Sequence, residues 1–149
     1  MNSDATGKGG SQRRIGRSIF AVVIGILVGI FLSVGTDLGL HAIGVAPSLT
    51  ERWPDRLLVL ATAYRTLYGV IASYIVARLA PRRPMLHALI GGFLGLFVNA
   101  AAAIASWNSS LGPHWYPLAL AILSVPPAWI GGRICEMQRR SHSAATPIS

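Results

Sequence analysis

Acidic residues and lysine are nearly missing from this sequence. Five carboxylates and one lysine, Lys8, occur in 149 residues, and charged side chains make up 12% of the chain. That is about half the roughly 25% of an ordinary soluble domain. A chain with room for one domain cannot hide a 52% hydrophobic content in a single core, so the excess has to face lipid. Cysteine is also scarce. Cys135 stands alone, which excludes an intrachain disulfide, and no second thiol, His or acid lies at ligand spacing from it. It reads as an inert interfacial thiol on the reducing side. No Ser or Cys sits in a nucleophile motif, and no acid stands at catalytic spacing from His114. The chain is therefore expected not to be an enzyme and to carry no cofactor or metal.

The charge that is present has one dominant sign. A net charge of +8 invites a nucleic-acid reading, but no recognition motif accompanies it. Twelve of the thirteen basic residues are Arg, and most sit in short clusters beside hydrophobic runs, where charge orients a membrane protein. Nucleic acid is not an expected partner; the lipid bilayer is.

Four runs are long enough for a hydrocarbon core of roughly 30 Å at about 1.5 Å per residue. They cover residues 18–40, 57–77, 85–106 and 115–132, and of eighteen charged residues only Asp37 and Arg65 fall inside them. The pattern predicts an all-α membrane protein with four transmembrane helices in an antiparallel bundle. Residues 1–14 read as a disordered tail, 15–134 as the transmembrane domain and 135–149 as a second tail. The turn with Arg78, Pro81, Arg82, Arg83 and Pro84 and the link Ser109 to Pro113 are short enough to make their flanking helices neighbours. Ala42 to Arg56 is the one connection with room for a small structure of its own. The first run exceeds a signal-peptide core of about 7–15 residues, so it reads as an uncleaved anchor.

Orientation follows from the basic residues. Lys8, Arg13, Arg14, Arg17, Arg78, Arg82, Arg83, Arg133, Arg139 and Arg140 share one side, against Arg52 and Arg56 on the other. Both termini and the middle turn are thereby expected in the cytoplasm. Trp53, Trp107, Trp115 and Tyr116 then mark the outer interface.

Small residues recur at four-residue spacing as Gly25, Gly29 and Ser33, as Ala61, Gly69, Ser73 and Ala77, and as Gly91, Gly95 and Ala103. Such stripes are the expected internal faces of the bundle, since lipid gives no hydrophobic drive for helix association. Asp37 and His41 continue the first stripe, Arg65 the second and Asn99 the third. An ion pair between Asp37 and Arg65 is predicted, with Asn99 and His41 as further polar bundle residues. The pair reads either as a clamp that neutralises both charges or as part of a solute site, and the clamp is favoured. Asn99 is expected to bond across helices. His41 and His114 lie toward the outer face and His87 toward the inner one, so they do not form one metal site. Pro126 and Pro127 remove two backbone donors near the middle of the fourth run and predict a kink, with Ser124 or a neighbouring helix to satisfy freed carbonyls. A weak echo links YIVARL at Tyr74 to Leu79 with WIGGRI at Trp129 to Ile134.

The segments GTDLGLH from Gly35, LATAYR from Leu60, ARLAPRRPMLHAL from Ala77, GPHWYPLAL from Gly112 and AWIGGR from Ala128 resemble recurrent segments of an uncharacterised group of small bacterial four-helix integral membrane proteins. The resemblance spans about residues 15–134. It implies a multi-pass protein of the bacterial inner (plasma) membrane and no particular activity. Small multidrug transporters are similar only in size, for the first run has no acid at its middle. The expected role is an accessory or structural membrane subunit, packed as a homo-oligomer or with another membrane protein. The alternative is a small transporter or channel component. A reporter fused at Arg82 is expected to score as cytoplasmic and one within residues 42–56 as external; the reverse pattern overturns the orientation.

Overall fold

The structure, a computed structural model, describes residues 5–47, 51–108 and 112–144, with side chains from residue 16 through residue 142 of those segments. It is all-helical over the described residues. Helix α1 spans Ala5–Ala42, α2 Asp55–Leu79, α3 Pro84–Ala105, α4 Trp115–Ile122 and α5 Val125–Ala144. Four spans, Gly16–Ala42, Asp55–Leu79, Pro84–Ala105 and Trp115–His142, are long and apolar enough to cross a membrane, with α4 and α5 sharing the fourth.

The helices outrun the apolar segments at both ends of the chain. Helix α1 begins at Ala5, inside the segment read from sequence as a tail, although Gly7, Gly9 and Gly10 are poor helix formers. Helix α5 continues to Ala144, well past Ile134. Its extension is packed: Cys135 is fully buried against Ala77, Ala88 and Tyr74, not interfacial. Tyr74 donates a 2.7 Å hydrogen bond to Gln138 Oε1, and Arg139 Nη2 donates to the carbonyls of Ala77, Arg78 and Ala80 at 3.0, 3.0 and 3.3 Å. Those carbonyls end α2 and have no helical partner, so the guanidinium both satisfies them and complements the dipole. Residues 1–4 and 145–149 of the expected tails, and 109–111 of the link before α4, lie outside the described residues.

The fourth run is broken, and the break differs from the expected kink. Instead of bending one helix, the chain leaves α4 after Ile122, turns at Leu123 and Ser124, and starts α5 with Pro126 and Pro127 in its first turn. Proline is tolerated there because first-turn N–H groups have no helical partner to lose. The Ser124 N–H reaches back only to Ala121, which leaves the Leu120 carbonyl to the Ser124 hydroxyl at 2.7 Å.

The interior is made of small residues and the exterior of large ones. Ala21, Ala61, Ala77, Ala88, Ala103, Ala121 and Ala128 are buried, while Phe31 and Ile104 are 77% exposed and Phe97 71%. Water would penalise that distribution; lipid does not. Glycine sets how closely the helices approach. A Cβ on Gly25 would lie 3.0 Å from the Ala72 carbonyl oxygen of α2 and closer still to the Val76 side chain. Of the stripe expected on α3, Ala103 is buried and Gly95 meets Ser124, but Gly91 faces open space, and it is Gly92 whose Cβ would lie 3.2 Å from the Ser124 carbonyl oxygen and overlap Ala128. A further seam, with the closest approach to backbone, is formed by Gly131 and Gly132 of α5. There a Cβ on Gly131 would lie 2.5 Å from the Val70 carbonyl oxygen, and one on Gly132 2.8 Å from the Met85 sulfur. Helix α5 is thus wedged between α2 and α3, and α1 rests on the other face of α2.

Backbone cannot yield as a flexible side chain does, so Gly131→Ala is expected to cost about 1–3 kcal/mol in detergent unfolding. Gly35→Ala, whose Cβ meets nothing within 4 Å, should leave stability unchanged or raise it slightly.

Candidate functional site

Asp37 occupies the last part of α1, on the face turned to α2, and is only 5% exposed. Its Oδ2 accepts a 2.6 Å hydrogen bond from Arg65 Nη2, forming an ion pair with the two side chains 7% and 30% exposed. The Tyr64 hydroxyl donates to the other oxygen, Oδ1. Both carboxylate oxygens are therefore engaged from adjacent positions on one helix.

One turn along α2, Tyr68 extends the contact. The Thr36 hydroxyl spends its single proton on the Leu32 carbonyl at 2.9 Å, so at 2.8 Å it accepts from Tyr68. Tyr64 and Tyr68 pack with ring centroids 5.6 Å apart. From α4 the Tyr116 ring lies 5.8 Å from the Arg65 guanidinium carbon, in cation–π range. Arg65 thereby joins α1, α2 and α4. Its Nε is buried without a hydrogen-bond partner.

Asn99 lies on α3 beside this cluster. Its amide donates to the Gly95 carbonyl at 2.9 Å and to the Ser124 hydroxyl at 3.2 Å, which ties α3 to the break between α4 and α5. His41 is not a bundle residue. It is exposed, and its Nδ1 lies 3.3 Å from the Ala46 carbonyl oxygen, closing the turn after α1. A strict four-residue step places it on the Asp37 face, but α1 ends at Ala42, where α2 no longer covers that face. His114 stacks on Trp107 at 4.5 Å and joins the end of α3 to the start of α4. His87 bonds Ser18 at 2.9 Å at the far end of the bundle. Among the described residues no three His, Cys, Asp or Glu side chains converge as a metal site would require.

Two spaces border the cluster. A cleft of about 390 Å³ opens at the Asp37 end and is lined by Asp37, Glu51, Trp53, Arg65, Asn99 and Tyr116, among others. A more apolar groove of about 490 Å³ lies between α1, α2 and α3, along Gly25, Gly29, Gly69, Gly91 and Gly95. Arg65, Asn99 and Leu120 border both, so the spaces meet at the ion pair.

Of the residues singled out from sequence, Asp37, Arg65 and Asn99 come together, while Pro126 and Pro127 stand behind Asn99 through Ser124. Tyr64, Tyr68, Thr36 and Tyr116 were not anticipated as members of the site. The available signal was the pair of tyrosines one turn apart flanking Arg65, with a hydroxyl residue beside Asp37. Comparison with protein families, with curated proteins and with solved structures gives no match.

Removing one partner of a buried carboxylate leaves a desolvated acceptor. Tyr64→Phe is accordingly expected to lower stability by about 1–3 kcal/mol, less than Arg65→Leu at about 3–5 kcal/mol, in detergent unfolding titrations.

Proposed function

We propose that this chain is a non-enzymatic, multi-pass protein of the bacterial inner membrane, acting as an accessory or structural subunit that packs with itself or with another membrane protein. Its four spans form an antiparallel bundle with both termini cytoplasmic. The antiparallel arrangement is supported by the order of contacts, since Gly25 approaches Ala72 and Val76 while Asp37, later in α1, meets Tyr64 and Arg65, earlier in α2. Cytoplasmic termini rest on the distribution of arginines.

The observation that carries the reading is the closure of the Asp37 carboxylate. With both oxygens taken by Tyr64 and Arg65, the acid is poorly placed to exchange a proton or a solute, and well placed to fix α1 against α2. Large apolar side chains, Phe31, Phe97 and Ile104 among them, remain on the outside for lipid or a partner helix. A second reading, a small transporter or channel component with a polar site around Asp37, Arg65 and Asn99, is favoured by the meeting of two spaces at those residues.

A double-mutant cycle separates the two. If the pair is a clamp, Asp37→Ala and Arg65→Leu each lose stability and the double variant recovers most of it, because no unpaired charge remains. If all three variants fold like the parent yet alter solute flux in proteoliposomes, the transport reading replaces it.

A further inference from the structure

The groove and the cleft together have the profile of one amphiphile. The groove runs along α1 from Gly25 to Ser33, and the polar cleft begins at Asp37, about 18 Å from Gly25 along the helix. Its floor is glycine and alanine, and its lips are Ile30 and Val34 of α1 and Leu94 and Val98 of α3. All four lip residues are substantially exposed, at 55%, 45%, 43% and 60%. Because α1 rests on α2 and touches α3 little, the groove opens sideways, toward lipid rather than water. Such a slot is sized for a single chain of methylenes.

The polar end specifies the head. At the junction stands Arg65, which commits Nη2 to Asp37 and still borders both the groove and the cleft. Further out, the exposed carboxylate of Glu51 and the Trp53 indole line the mouth. From inside to outside the sequence is apolar slot, cation, then anion with an aromatic ring. A phospholipid with an amine-bearing head has the complementary order: acyl chain, phosphate, then ammonium. A purely anionic head would bring no ammonium to the Glu51 carboxylate, and a purely cationic one would bring no phosphate to Arg65.

We propose that the chain binds a zwitterionic aminophospholipid from the leaflet at the Asp37 end. One acyl chain lies in the α1–α3 groove, the phosphate is at Arg65, and the ammonium is at Glu51 and Trp53. The second acyl chain stays in the bilayer. This site rests on the membrane-spanning reading and goes beyond it by naming the lipid.

The test uses the full chain, reconstituted in vesicles of equal phosphatidylethanolamine and phosphatidylglycerol, re-extracted in detergent and assayed for retained lipid by mass spectrometry. Parent protein is expected to retain phosphatidylethanolamine at about one per chain. Gly91→Phe fills open space in the groove wall and should cut retention about tenfold or more. Gly35→Phe, also in open space but outside the groove, should not. Glu51→Gln should abolish the preference for the amine head while leaving chain binding. Equal retention by Gly91→Phe and Gly35→Phe, or no head preference in the parent, overturns the site, as does a dimer that holds no lipid and separates on Gly91→Phe substitution. Melting profiles of the variants verify that they fold. A chain that purifies without detergent overturns the membrane reading itself, whereas one that needs detergent and retains no lipid overturns only the lipid site.

Discussion

A carboxylate buried between apolar helices is largely cut off from water, and the arrangement at the Asp37 end follows from that constraint. Desolvating an acid costs several kcal/mol unless a cation and hydrogen-bond donors reach both oxygens. Tyr64 and Arg65, adjacent on α2, supply them. The pairing and the close approach of Gly25 to Ala72 belong to the same register of α1 on α2. Arg65 then passes the constraint to α4 through Tyr116.

At the other end a different logic holds the helices. Among the described residues no buried charge pair is involved there; contact depends on the absence of side chains at Gly131 and Gly132 and on the guanidinium of Arg139 closing the end of α2. Van der Waals contact over a glycine seam is the main attraction open to helices surrounded by hydrocarbon. The bundle thus combines a polar lock near Asp37 with a steric seam near Gly131, and α2 takes part in both.

Much of this was legible in the residues because membrane physics is coarse. Runs of about twenty uncharged residues have few alternatives to a spanning helix, and two isolated charges of opposite sign have strong reason to meet. The finer placement was not legible. A four-residue step selected Gly91, although the helix turns by 3.6 residues and it is Gly92 that faces Ser124. The same idealised step put His41 with Asp37, beyond the reach of α2. Tyr64 escaped notice because hydroxyl aromatics were read as interface markers, a role that burial beside an acid overrides. Pro126 and Pro127 announced a disruption, but whether two prolines bend a helix or begin a new one depends on the turn before them.

That turn has a mechanical meaning. Helix α5 packs between α2 and α3 over close glycine contacts, while the chain joins it to α4 through Leu123 and Ser124. Any displacement of the α4 end bearing Trp115 and Tyr116 would reach Arg65 through the Tyr116 ring. Among the described residues the buried Asp37–Arg65 pair thus lies where that contact arrives, away from the Gly131 seam.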